Sequence, residues 1–277
     1  MTLSGQYVLK QSLEFSEREG ITPLYGDTDS LYVKLPASEG EDFVKRCNEY
    51  LREHLRRKFG VPEDRFRVEL EYENYFSRMF FVRKKRYAGL MTMYKGKEAS
   101  FTEVKGLECM RSDGIEYARQ VQKTLIEMIV RDRRKVRVIL DFMLDQRERV
   151  LGYDLTRDEI TITKGLMKGI ETYKTKGVHV KVAEAFRARG GEYYVGMKVP
   201  YIVTDASKAL VAVHADDFDG TYDHRYYWDK IIYPPSFRIL EVCYGHVAWR
   251  DLFVKKPPAK RVPSENGDGH DDEEVDE

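Results

Sequence analysis

The sequence predicts an α+β fold in which an antiparallel sheet with helices comes first and a mainly helical module follows. Three patterns predict this order. Short apolar runs flank a polar turn between residues 21 and 35, residues 66–73 alternate apolar with charged side chains, and residues 114–150 show helical spacing with many charges. With 277 residues and 42% hydrophobic side chains, the chain is large enough for one large or two modest packed domains.

The first part of the chain predicts two helices and several strands. Residues 1–20 have helical spacing and end at Gly20, while residues 41–59 carry one apolar stripe of an amphipathic helix. The alternation over 66–73 predicts a strand with one buried face. Further strands are predicted near residues 78–83, 86–93 and 101–108.

The later part of the chain predicts mostly helix. Residues 114–150 indicate two helices, residues 163–189 indicate another, and a strand is predicted near 199–203. Two helical stretches flank Pro234-Pro235, which we expect to separate them because proline breaks a continuous helix. The character of the sequence therefore changes after Asp113, and residues 255–277 predict a disordered tail, basic and then acidic.

The net charge of zero is the sum of two unlike parts. Residues 264–277 hold eight of the 47 acidic side chains and no lysine or arginine, so residues 1–263 carry 47 basic against 39 acidic groups, a net charge of +8. A basic body is compatible with a polyanionic partner. The acidic tail has three candidate roles, namely solvating the C-terminus, docking on a basic partner, or competing with that polyanion.

Cysteine content and hydropathy restrict the class of protein further. Cys47, Cys109 and Cys243 are far apart and form no CxxC pair, which favours a reducing compartment and argues against a zinc site. No apolar run approaches the roughly 20 residues of a membrane helix, and the N-terminus lacks a signal-peptide pattern. We therefore expect a cytoplasmic protein without a membrane partner.

The segment Tyr25–Ser30 (YGDTDS) places two carboxylates, Asp27 and Asp29, at a predicted hairpin turn. Paired carboxylates on a rigid turn form an oxygen-only site that suits Mg²⁺, together with water and substrate phosphates. A solvated turn or a helix N-cap is the common alternative for such a pair. An EF-hand loop starting at Asp27 is excluded, because it requires an oxygen ligand at 31, glycine at 32 and glutamate at 38, where this chain has leucine, tyrosine and serine.

Four segments of the chain, in order, resemble those of family B DNA polymerases. They are Tyr25–Val33 (YGDTDSLYV, similar to motif C), Arg83–Gly89 (RKKRYAG, similar to the KKRY segment), Lys105–Asp113 (KGLECMRSD, similar to KG-x-E-x-x-RRD) and Gly177–Val180 (GVHV, similar to a thumb segment). The resemblance covers residues 1–254. It implies a partial polymerase palm, an antiparallel sheet with helices, over residues 1–82. The KKRY segment and a mainly helical thumb would follow over residues 83–254.

The resemblance also implies roles for individual residues. Asp29 matches the main metal-binding aspartate of motif C, and Asp27 matches its partner in a two-metal Mg²⁺ site. Glu71 is a candidate outer carboxylate, with a solvated strand face as the equal alternative. Residues expected to contact the primer–template backbone are Lys84, Lys85, Arg86, Tyr87, Lys105 and Arg111.

The basic run at 83–86 has an alternative interpretation, a charged edge strand that prevents aggregation. In a strand, Lys85 and Tyr87 share one face, on which the lysine could hold a phosphate and the tyrosine could pack beside it. The chain departs from the family pattern at Ser112, where a second arginine is usual, and at Val178, where proline is common.

Two further family motifs, DxxSLYPS and KxxxNSxYG, do not occur in the sequence, nor do the exonuclease carboxylates. This predicts the small, C-terminal subunit of a split DNA-directed DNA polymerase, inactive without a large chain that supplies motif A, fingers and exonuclease. The alternative is a non-catalytic DNA-binding subunit on a polymerase-like scaffold. Implied partners are primer–template DNA, dNTP and the large subunit in a nucleoid-associated complex, with a sliding clamp as a further candidate from Ala248–Phe253 (AWRDLF).

Overall fold

The computed structural model describes residues 3–245, so the AWRDLF segment and the tail at 255–277 lie outside the described residues. The α-helices of the described part are α1 (Leu3–Arg18), α2 (Gly40–Phe59), α3 (Glu116–Val130), α4 (Val136–Leu151), α5 (Arg157–Ile160), α6 (Val178–Ala188), α7 (His224–Tyr226) and α8 (Tyr233–Tyr244). None of them is both long and apolar enough to cross a bilayer.

The described strands form three separate antiparallel sheets. They are β1 (Pro23–Asp27) with β2 (Ser30–Val33), then β3 (Asn74–Arg83) with β4 (Arg86–Tyr94) and β5 (Lys97–Lys105), and finally β6 (Ile162–Gly165) with β7 (Lys198–Asp205) and β8 (Val211–His214). The α+β prediction is confirmed.

Helices α1 and α2 pack against the β1–β2 sheet. Phe15 of α1 meets Phe43, Cys47 and Leu51 of α2 in a buried cluster. The predicted apolar stripe of α2 forms this contact, because residues three and four apart lie on one helix face. The helix ends at Gly60, whose positive φ of 64° lets its N–H reach the carbonyl of Arg56.

The strand predicted over residues 66–73 does not form, although its burial alternates as predicted. Phe66, Val68 and Leu70 are half-buried while the charged residues between them are exposed. The partner of this extended segment is a side chain: Asn48 of α2 accepts from the Leu70 N–H and donates to the Leu70 carbonyl, both at 2.8 Å. The segment therefore lies along a helix rather than in a sheet.

The central sheet contains the three predicted strands, but β3 and β5 each begin four residues earlier than predicted and β5 ends three residues earlier. β3 begins at Asn74, and two-residue turns at Lys84-Lys85 and Lys95-Gly96 join it to β4 and β5. The predicted boundary between residues 82 and 83 lies inside β3. Because β3 pairs along its length with β4, the KKRY segment belongs to one continuous sheet with the strand before it.

The helix predicted over residues 163–189 is wrong in its first half. β6 occupies residues 162–165, a short 3₁₀ turn follows, and α6 begins only at Val178. Gly165, Gly169 and Gly177 interrupt the helical spacing, and β6 finds a partner in β7, the strand that the sequence predicts near 199–203. The second module therefore contains a small sheet among its helices.

Pro234 and Pro235 do not separate two helices. They lie in the first turn of α8, immediately after a π-helical segment, and the Ser236 hydroxyl donates to the Ile232 carbonyl in this turn. A π-helical segment, Tyr227–Ile232, leads directly into α8. The helical path therefore continues from His224 to Tyr244, contrary to the prediction.

Candidate functional site

The two predicted carboxylates lie on the turn between β1 and β2. Asp27 ends β1 opposite Ser30, and Thr28 and Asp29 form the loop, with Thr28 at a positive φ of 54°. The Asp29 N–H donates to the Asp27 carbonyl at 2.6 Å, and the Ser30 hydroxyl donates to the same carbonyl at 3.1 Å. These contacts hold the loop in one conformation, in which Asp29 is exposed at the tip.

The chemistry of this turn fits a divalent cation held by few protein ligands. It offers carboxylate oxygens from an exposed Asp29 and from Asp27, whose side chain is 20% exposed. Mg²⁺ commonly takes one or two carboxylates and completes its shell with water and phosphate oxygens. Within residues 3–245, no group of three His, Cys, Asp or Glu side chains is placed to hold a metal ion, so Glu71 does not join the pair. Glu71 is exposed in the extended segment beside α2, not on a strand.

A second turn, Lys84-Lys85, lies directly against the first. The Lys85 N–H donates to the Tyr25 hydroxyl at 2.8 Å, and the Lys85 ammonium is 3.5 Å from the Asp27 carboxylate. Lys85 has a positive φ of 62°, and its side chain is 65% exposed. The structure thus brings the predicted metal-binding and DNA-binding residues into contact, although they are 58 positions apart in the sequence.

An aromatic cluster joins the two hairpins. Tyr25 and Tyr32 of the first hairpin pack against Phe81 and Tyr87 of the second, with ring centroids 5.2 to 6.3 Å apart. The hydroxyls of Tyr32 and Tyr87 share a hydrogen bond of 2.9 Å. Burial raises the pKa of Tyr32, and its hydrogen bond with Tyr87 raises it further, so the phenol is neutral. The hairpins therefore form one packed unit.

The sequence predicts that Lys85 and Tyr87 share one strand face, and this prediction is wrong. Lys85 lies in the turn, whereas Tyr87 lies in β4 with only 8% of its surface exposed. The ring packs between the two hairpins and its hydroxyl is bonded to Tyr32. This geometry makes Tyr87 a positioning residue for the two turns.

Gly106 packs closely against the backbone of the Lys84-Lys85 turn. Its φ is +63°, and a Cβ atom built on it would lie 2.2 Å from the Lys85 carbonyl oxygen. Only glycine permits this approach without displacing the turn. The neighbouring Lys105 lies opposite Tyr87 across β4 and β5, and its ammonium is 2.9 Å from Glu103. This hydrogen bond raises the pKa of Lys105, which keeps it cationic.

Arg86 is half-buried and forms an ion pair with Glu108. The Glu108 carboxylate accepts from Arg86 at 3.0 Å and from Arg238 of α8 at 2.5 Å, and its other oxygen accepts from Gln122 of α3 at 3.3 Å. Desolvation works to raise the pKa of Glu108, but hydrogen bonds from its own backbone and from Gln122, with the charge of Arg238, hold it below its ordinary value. Glu108 thereby ties the KKRY strand to two helices.

We expect replacement of Glu108 by glutamine to lower the unfolding free energy by about 1–2 kcal/mol near neutral pH, because two arginines lose their common anion in a partly exposed site. The folded-state pKa is lowered, so the stabilisation is present above the ordinary glutamate pKa of about 4.3 and is lost as pH falls through the folded value. Urea unfolding of the parent chain and of Glu108→Gln over a pH series should show that the gap between their unfolding free energies closes in acid. A gap that stays constant into acid would contradict this role.

The remaining predicted DNA contacts lie on the surface. Lys84 is exposed in the turn, and Arg111 forms a two-point ion pair with Asp113 at 2.9 and 2.7 Å, with both side chains more than half exposed. Sequence reasoning missed Tyr25, Tyr32 and Glu108 as supports of the site. Tyr25 lies two residues before Asp27 and Tyr32 lies three residues after Asp29, while Glu108 lies in the KGLE segment. Their places within the motifs were the signal from which a supporting role could have been predicted.

Comparison with known proteins gives a consistent result. A family model described as DNA polymerase family B matches residues 3–242. A DNA polymerase of Thermococcus sp. (strain 9oN-7) is 31% identical over 241 residues, covering 85% of this chain and 29% of that polymerase. A DNA polymerase of Archaeoglobus fulgidus is 33% identical over 259 residues, covering 87% of this chain and 31% of that polymerase.

A solved structure agrees with these relatives. The family B DNA polymerase from the hyperthermophilic archaeon Pyrobaculum calidifontis superposes with a TM-score of 0.62 at 27% sequence identity. The superposition covers 87% of this chain and 29% of that one. The chain thus spans about three-tenths of the length of the polymerases that it matches.

Proposed function

The chain belongs to DNA polymerase family B, and we propose that it is the small, C-terminal subunit of a split DNA-directed DNA polymerase. The observation that carries the proposal is the contact between the two turns, in which Lys85 of a basic hairpin meets Asp27 of a carboxylate hairpin. Template-directed nucleotidyl transfer requires a duplex backbone and a metal-binding carboxylate within a few ångströms of each other.

In this proposal Asp29 and Asp27 are the metal-binding residues of the shared catalytic site. Bound Mg²⁺ supplies charge neutralisation for attack of a primer 3′-hydroxyl on the dNTP α-phosphate with loss of pyrophosphate. Exposed Asp29 at the tip of the turn faces solvent, where substrate phosphates and water have access. Asp27 is held closer to the hairpin and orients the pair.

The basic residues grip the primer–template duplex just behind the primer end. Lys84, Lys85, Lys105 and Arg111 present side chains on the surface around the two turns. Arg86, which is bound to Glu108, and Tyr87, which is buried, hold this surface in place. Because β3 crosses the predicted boundary between residues 82 and 83, we move that boundary to the start of β3. We assign residues 1–73 to the palm, residues 74–254 to the KKRY sheet and thumb, and residues 255–277 to the tail.

A second chain completes the site. The family resemblance implies a second catalytic aspartate in motif A (DxxSLYPS), a pattern that this sequence does not contain. The β1–β2 sheet has two strands in the described part of the chain, and neither of its outer edges pairs with another described strand. Leu24 of β1 is 47% exposed. These features support a large partner subunit that carries motif A, fingers and exonuclease and adds to this hairpin.

The test is reconstitution of primer extension. The chain alone should not extend a primed template, and extension should appear when it is mixed with a chain that carries DxxSLYPS and KxxxNSxYG. The second chain by itself is the control. Equal extension by this chain with and without the second chain would contradict the split arrangement. A mixture whose extension survives loss of the Asp29 carboxylate would favour the non-catalytic DNA-binding alternative.

A further inference from the structure

The two oxygens of the Asp27 carboxylate have different partners. Oδ1 accepts from the Thr28 hydroxyl at 3.3 Å, within the same turn, whereas Oδ2 lies 3.5 Å from the ammonium of Lys85 on the other hairpin. One cation from the proposed DNA-binding surface therefore neutralises one carboxylate of the proposed metal site.

We propose that Lys85 is a charge switch that couples duplex binding to the metal site. Without DNA its ammonium neutralises Asp27, and when a duplex binds, the ammonium moves to a backbone phosphate and leaves the Asp27 carboxylate free for a divalent cation. The inference rests on the proposed function and deepens it, because it links the two binding steps of that same site.

The backbone of the Lys84-Lys85 turn is fixed, so the switch involves the side chain alone. The Lys85 N–H is bound to the Tyr25 hydroxyl at 2.8 Å, and Gly106 lies so close to the Lys85 carbonyl that a methyl group would not fit between them. The side chain itself is 65% exposed. A lysine has a four-carbon stem and a compact charge, so its ammonium can change partners while its Cα remains in place.

The energetics favour exchange. An ion pair whose lysine is 65% exposed is screened by salt, whereas a duplex presents a dense row of phosphates that attracts cations strongly. Phosphate and Asp27 compete for one ammonium, and Lys85 and a metal ion compete for one carboxylate. Linkage requires that each coupling acts in both directions, so removing the Asp27 charge should strengthen duplex binding through Lys85.

The experiment is a double-mutant cycle on duplex affinity. Fluorescence anisotropy with a primer–template duplex, at low salt and with EDTA, is measured for the 277-residue chain, Asp27→Asn, Lys85→Met and the double variant. We expect Asp27→Asn to raise the affinity of the parent chain about fivefold, the equivalent of one exposed ion pair. In the Lys85→Met background, the gain in duplex affinity from Asp27→Asn should fall to the gain expected from removing any one negative charge from this turn.

Asp29→Asn is the matched control, because it removes the same charge from the same turn. It sets the size of the general charge effect, and we expect its gain to be equal in the parent chain and in the Lys85→Met background. An Asp27→Asn gain that is equal in both backgrounds, or no larger than that of Asp29→Asn, overturns the switch. Failure of every variant and the parent to bind duplex would instead overturn the proposed function.

A second measurement reports on the contact without DNA. Reductive ¹³C-methylation makes each lysine ammonium visible by NMR, and the Lys85→Met spectrum assigns the Lys85 signal. We expect Asp27→Asn and duplex addition each to shift this signal, while Asp27→Asn leaves the Lys84 signal unchanged. A Lys85 signal that is insensitive to Asp27→Asn would show that the ion pair is not formed and would overturn the switch.

Discussion

Replacing Asp29 by asparagine is expected to reduce primer extension by the assembled polymerase about a thousandfold or more. Asparagine keeps the size of the side chain but removes the negative charge that a divalent cation requires. Metal stabilisation of the reacting phosphate is worth several kcal/mol, and each 1.36 kcal/mol changes the rate tenfold. Single-turnover extension of a primed template, with this chain and a chain carrying DxxSLYPS and KxxxNSxYG, measures the loss.

The fold and the assembly should survive this substitution, since Asp29 is exposed at the tip of its turn and its backbone N–H makes the loop contact. Analytical ultracentrifugation of the mixture checks assembly. Glu71→Gln is the matched control, because it neutralises another exposed carboxylate that the structure places outside the pair. Full extension by the Asp29→Asn mixture, or an equal loss with Glu71→Gln, would contradict the role assigned to Asp29.

Replacing Gly106 by alanine is expected to lower the unfolding free energy by about 2–5 kcal/mol. Two costs add: a positive φ of 63° is unfavourable for alanine by roughly 1–2 kcal/mol, and the new methyl group would meet the Lys85 carbonyl, an overpacking cost of about 1–3 kcal/mol. The carbonyl cannot withdraw freely, because the Lys85 N–H is bound to Tyr25. Urea unfolding measures the change.

Gly96→Ala separates the two costs. Gly96 also lies in a hairpin turn of the same sheet with a positive φ of 73°, but no atom lies within 4 Å of the position that its Cβ would take. We therefore expect it to lose only the roughly 1–2 kcal/mol of the backbone term. Equal losses for the two variants would show that the close approach at Lys85 does not contribute. A displaced Lys84-Lys85 turn should also weaken duplex binding in Gly106→Ala, and not in Gly96→Ala.

Local patterns predicted the elements whose partners are close in sequence. The hairpin around Asp27 and Asp29, the amphipathic helix α2 and the strands on either side of Lys84-Lys85 all form near their predicted positions. In each case the residues that decide the structure, a polar turn or an apolar stripe, lie within the element itself. The resemblance to family B polymerases is confirmed by the family model that matches residues 3–242. The sequence could predict it because its motifs are short and contiguous.

Two of the predictions that failed depended on partners distant in sequence. Residues 66–73 have the alternation of a strand, but Asn48 bonds the backbone of Leu70 where a strand would be expected. The segment after Ile162 has helical spacing, but β7 pairs with it. Periodicity reports which side chains are buried, and it does not report whether a strand, a helix or a single amide satisfies the backbone.

The sequence by itself determined the family, the two aspartates of the turn and the basic residues of the second hairpin, because each is written in a short run of consecutive residues. Only the tertiary structure decided how they are related. Packing of four aromatic rings brings the two turns together, places Lys85 beside Asp27 and buries Tyr87. A separate contact pairs Arg86 with Glu108. Such contacts join residues tens of positions apart, and their free energy depends on distances that no local pattern contains.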